Sequence, residues 1–100
     1  MSTEKAESTN HRQIGRETVV QREGLEVLRL VVPAGSVVPE HHAAVDVVVV
    51  VVGGSGVFTV AGEPRRIGGG DVIDMAPAVR HAIAAEEDLT LVVVKARLAS

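Results

Sequence analysis

Asp46-Val47-Val48-Val49-Val50-Val51-Val52-Gly53-Gly54-Ser55-Gly56-Val57-Phe58-Thr59-Val60 is the stretch on which the fold turns. Six consecutive valines disfavour helix, because a branched Cβ restricts side-chain rotamers there and packs well on a pleated sheet. The glycine-serine cluster then breaks the run and reads as a hairpin link into a second apolar strand. A strand with apolar groups on both faces is buried on both, so Val47 to Val52 is expected either between two sheets or beneath a contact with a second copy of the chain.

The same pattern extends in both directions. Short apolar runs cut by glycine, proline and charged turns place strands near Glu17-Arg22, Leu25-Val32, Val37-Pro39, Asp46-Val52, Gly56-Ala61, Glu63-Ile67, Asp71-Met75, His81-Ala84 and Leu89-Ala96. Pro33-Ala34-Gly35 ends one strand, since proline lacks the ladder donor and glycine tolerates positive φ. Ala61-Gly62-Glu63-Pro64 and Gly68-Gly69-Gly70 mark two further corners. So many short strands leave no room for crossover helices, and the sheet must close or stack on itself as an antiparallel barrel or sandwich. The fold class is therefore all-β. Residues 1–15 are polar and unpatterned and are expected to be a flexible arm; residues 16–98 are expected to form one domain.

Composition narrows the function. Of 100 residues 46% are apolar, but 21 are valine, twelve are alanine and Phe58 is the one aromatic residue, which removes base-stacking surfaces and aromatic sugar platforms. The net charge of -3 gives no electrostatic case for nucleic acid or an anionic membrane. Without cysteine there is no disulfide, thiolate nucleophile or iron-sulfur site. The valine run is far below the roughly 18 to 20 apolar residues that span a bilayer, and Met1-Ser2-Thr3-Glu4-Lys5 has neither the basic flank nor the apolar stretch of a secretory signal. A cytoplasmic protein is expected. Neither glycine cluster reads as a phosphate loop or dinucleotide fingerprint, so no organic cofactor is expected; Ser55 has no elbow and no ordered histidine and acid, and reads as a turn residue.

Chemistry falls to the histidines. His11 belongs to the arm and reads as solvated. His41 and His42 open a segment that leads to Asp46, and His81 follows the proline-bearing connection Met75-Ala76-Pro77-Ala78-Val79-Arg80. Imidazole and carboxylate suit Fe, Mn, Zn, Ni or Cu in a sulfur-free site. Adjacent residues of a regular strand point to opposite faces, so His41 and His42 share a site only if the backbone bulges or turns. Arg80 is read either as a clamp for a carboxylate or as half of a surface ion pair. Glu86-Glu87-Asp88 reads as a solvated turn, and Phe58 and Met75 as core.

Gly35, His41 and Gly54 resemble the first motif of the cupin superfamily, G-x5-H-x-H-x3,4-E-x6-G; Gly70-Asp71, Pro77 and His81 resemble the second, G-x5-P-x-G-x2-H-x3-N. The resemblance spans roughly Leu25 to Val94 and implies a double-stranded β-helix, or jelly-roll, barrel. His41 and His81 take histidine positions. Ala43 stands at the other histidine, Val47 or Val48 at the glutamate, Ala85 at the asparagine, and Ala76 and Ala78 at the second motif's proline and glycine. Shifting by one residue gives the set Glu40, His42, Asp46 and His81; a bulge gives His41, His42 and His81. The resemblance implies one divalent transition metal on residues drawn from His41, His42, Asp46 and His81, with dioxygenase- or isomerase-like chemistry on a small organic molecule. The alternative is a metal-free, non-catalytic domain that binds a small ligand or is structural. A homodimer is expected, with the Val47-Val52 region or its sheet at the contact.

Overall fold

The computed structural model describes residues 12–98, in which nine strands follow one another: β1 (Gly15–Arg22), β2 (Leu25–Val32), β3 (Val37–His41), β4 (Asp46–Gly53), β5 (Ser55–Val60), β6 (Glu63–Gly68), β7 (Val72–Met75), β8 (His81–Ala85) and β9 (Leu89–Ala96). Each coincides with a strand expected from the sequence to within two residues at either end. All pairings are antiparallel, in a five-stranded sheet ordered β1-β2-β9-β4-β7 and a four-stranded sheet ordered β3-β8-β5-β6. The two sheets face each other across one apolar core, which is the jelly-roll arrangement. Residues 1–11, including His11 and most of the expected arm, lie outside the described residues. Arg12 pairs through two guanidinium nitrogens with the Asp88 carboxylate, and Gly15 already belongs to β1.

The valine strand resolves into two faces. Val47, Val49 and Val51 are buried in the core, whereas Val48 and Val50 are half-buried on the outer face and Val52 is exposed. The expectation of burial on both faces is met fully on one. On the outer face Val48 sits across from Val94, itself across from Val27, and Val50 sits between Val92 and Val72. The inner face meets Phe58, Leu89, Leu91 and Val32, all essentially without solvent contact. Burying each such side chain stabilises the fold by about 1.5–3 kcal/mol before entropy is counted. Phe58 is core, as expected, and so is Met75.

Tight approach, rather than chain flexibility, explains the glycine hairpin. Gly54 has φ +92°, and a Cβ there would lie 1.9 Å from the Asp88 carbonyl oxygen. The Ala61-Gly62 turn closes β5 onto β6 with φ positive at both residues (51° and 83°), as a two-residue hairpin requires. The exposed sheet edges are blunted: β1 carries a bulge at Thr18/Val20, β3 and β6 contain Pro39 and Pro64, and β7 has four residues. Among the described residues no helix is long and apolar enough to cross a membrane.

Candidate functional site

The site begins with a slip in one ladder. β3 pairs with β8 as Val38 opposite Ile83, but the next pair is His41 opposite His81, so three steps on β3 match two on β8. A regular ladder would have put Glu40 against His81. The extra residue is a β-bulge at Pro39-Glu40, affordable on an edge strand where proline's missing N–H breaks no central ladder. It turns His41 onto the same inner face as Val38 and ends the strand, so that His42 also lines the interior from the irregular segment 42–45.

His41 and His81 then meet edge to face, with ring centroids 4.2 Å apart and planes at 64°. Phe58 continues the row, stacked on His81 with centroids 6.0 Å apart. Each imidazole is fixed by its own chain: Nδ1 of His41 lies 2.9 Å from the Pro39 carbonyl oxygen and Nδ1 of His81 lies 3.0 Å from that of Val79. With Nδ1–H donating to those carbonyls, each Nε2 keeps its lone pair for a partner. His81 is only 7% exposed and is the one buried polar residue among those described. Burial holds its pKa below the ordinary 6.5 against the opposing pull of the Val79 carbonyl, helped by the positive charge of His41, Lys95 and His42 nearby. At neutral pH it is an uncharged hydrogen-bond acceptor.

These rings sit beside a cavity of about 270 Å³ between the sheets. Leu28, Leu30, Val38, Val47, Val49, Phe58, Ile83 and Val93 form its walls; Arg16, Lys95 and the three histidines supply its charged and polar lining. That is a small, mostly apolar pocket with a few convergent polar groups. Lys95 was not singled out from sequence, although the alternation Leu89, Leu91, Val93, Lys95 places it on the inner face of β9.

Of the expected metal ligands, His41, His42 and His81 share the cavity lining and Asp46 does not. Strand alternation puts Asp46 on the outer face with Val48 and Val50, opposite the inward Val47. Glu40, from the shifted set, is exposed and lies 3.6 Å from Arg80, which is thereby a surface ion pair and is absent from the cavity lining. Among the described residues no three His, Asp or Glu side chains come together in a way that would hold a metal ion. His42 lines the same cavity as the pair His41 and His81, but the three imidazoles do not converge into such a group among the described residues, and valine stands at the motif's carboxylate position.

The connection into β8 carries a further mark of the site. Ala78 stands at φ +72°, at the position where the second motif has glycine, and its N–H donates to the Ala43 carbonyl at 2.7 Å. That bond ties the 76–80 connection to segment 42–45 across the histidines.

The sequence model of the AraC-like ligand binding domain matches residues 31–99. Among solved structures, a conserved protein of unknown function from Streptococcus pyogenes is 25% identical with a TM-score of 0.79, covering 88% of this chain and 77% of its own. A cupin superfamily protein from Desulfitobacterium hafniense superposes with a TM-score of 0.82 at 17% identity, covering 88% and 81%. A cupin of double-stranded β-helix fold from Methanocaldococcus jannaschii gives 0.77 at 23% identity, covering 88% and 84%. No curated protein matches the chain.

Proposed function

The chain belongs to the AraC-like ligand binding domain family and to the cupin superfamily, and we propose that residues 16–98 work in the cytoplasm as a metal-independent binding domain for one small organic molecule. The cavity carries this reading. Its walls are aliphatic, its volume of about 270 Å³ lies just below the usual range for drug-sized ligands, and its polar groups are few and fixed. The Nε2 atoms of His41 and His81 accept hydrogen bonds from a ligand hydroxyl or amide, while the apolar walls take the body of the molecule. The role assigned here is recognition.

We also place a homodimer contact on the outer face of the five-stranded sheet, where Val27, Val48, Val50, Val92 and Val94 form adjoining rows. Light scattering at micromolar concentration checks it: a dimer is expected, and a monomer removes the contact.

Binding is tested by heteronuclear NMR titration of the purified protein with small organic fragments, with and without chelator. Shifts at Phe58, Val49 and His81 that survive chelation, and that vanish in Val49→Phe where the added ring fills the cavity, are expected. About one Fe, Mn, Zn, Ni or Cu per chain after reloading, lost in His81→Ala, would replace this reading with a metal centre.

A further inference from the structure

Among the described residues, every ionisable side chain that lines the cavity is a base: Arg16, Lys95, His41, His42 and His81. The whole chain carries a net charge of -3, so this is a local inversion of sign. Lys95 points inward by strand alternation, with Val47 as its neighbour on β4 and Glu26 on β2. Arg16 lies opposite Leu30, an inward residue of β2, and so stands on the inner side of the edge strand. The arginines that do form ion pairs among the described residues are Arg12, Arg29, Arg66 and Arg80, all at the surface; neither Arg16 nor Lys95 has a carboxylate of the described residues within 4.0 Å. Glu26, the nearest acid by register, shares an adjoining depression with Lys95 and is absent from the cavity lining.

Arg16 is exposed and Lys95 half-buried, so both cations keep contact with water, while the apolar walls beside them let their field reach into the cavity. A guest that brings one negative charge and a small hydrocarbon body satisfies both halves of the lining. Resting on the reading of the cavity as a small-molecule site, we propose that its ligand is a small carboxylate with an apolar body, its carboxylate held by Lys95 and Arg16 and its body by Leu28, Val49, Phe58 and Val93.

Calorimetric titration of the wild-type protein with hexanoate, hexanamide and hexylamine, and with benzoate and benzamide as a second body, tests the charge separately from the cavity. Each carboxylate is expected to bind about tenfold or more tightly than its amide, as a charge-assisted hydrogen bond outweighs a neutral one, and hexylamine not to bind. Lys95→Met and Arg16→Met, which keep the apolar stem, are expected to weaken the carboxylates about tenfold or more and the amides much less, so that the two converge. Amides binding as tightly as carboxylates would overturn the charge assignment while leaving the cavity as a small-molecule site. Failure of both bodies in every charge form would overturn the cavity reading and this inference with it.

Discussion

At one end of the barrel backbone meets backbone, and at the other side chains stand around a space. The closed end packs the Gly54 hairpin against Asp88, joins the Pro33 turn to β8 through Gly35 N–H to Ala85 O (2.9 Å) and Ala85 N–H to Ser36 O (3.0 Å), and lets Asp88 accept the Ala34 N–H at 2.8 Å. Its side chains, Leu89, Leu91, Val32 and Val51, are the most buried aliphatics of the molecule. At the open end, segment 42–45 is held by the Ala78 bond, and His41 and His42 are exposed. The same strands run through both ends. What differs is whether their inner faces are filled by aliphatic side chains or carry bases around a cavity, so stability is concentrated at one end and recognition at the other.

The largest expected effect comes from making one substitution at both ends. Leu89→Ala leaves a new void among close-packed neighbours and is expected to cost about 4 kcal/mol, whereas Leu28→Ala enlarges a cavity that is already there and is expected to cost about 2 kcal/mol. Urea denaturation followed by circular dichroism measures both, and equal losses would break the comparison. Ala78→Gly acts in the other direction. Relieving a left-handed alanine is expected to stabilise the fold by about 1 kcal/mol, read as a raised Tm. The smallest effect is the pH dependence of the open end. Because the folded pKa of His81 is lowered, the unfolded chain binds the extra proton first, and stability is complete above about pH 6.5 and declines as pH falls below it. His81→Gln is expected to flatten that decline, and an unchanged profile would show that the imidazole does not control it.

What could be read from the residues was whatever local chemistry decides. Nine strands follow from short apolar runs and from turn residues at Gly35, Gly54, Gly62 and Gly70, all of which sit at positive φ. The face of Asp46 could not be read, because six identical valines conceal which of them point inward. The bulge at Pro39-Glu40 was invisible for a different reason: it exists only relative to β8, some forty residues away, and it alone decides that His41, not Glu40, meets His81. Glu86, Glu87 and Asp88 form the exposed turn expected from the sequence, and they also reach Arg66, Ser55 and Arg12, partners that only the folded topology supplies. Lys95 is legible on the inner face by alternation from Leu89, Leu91 and Val93.

The order of strands in the larger sheet also governs how the chain is born. β9 is the central strand, lying between β2 and β4, although both of those are translated before it. Until residues 89–96 have left the ribosome, the valine strand has no permanent neighbour on that side, and after Asp46 it is a charge-free, proline-free run of high β-propensity with an unpaired edge. The nascent chain therefore passes through an interval in which its most aggregation-prone strand is finished and its partner is not, and the length of that interval is set by the rate of translation across β5 to β8.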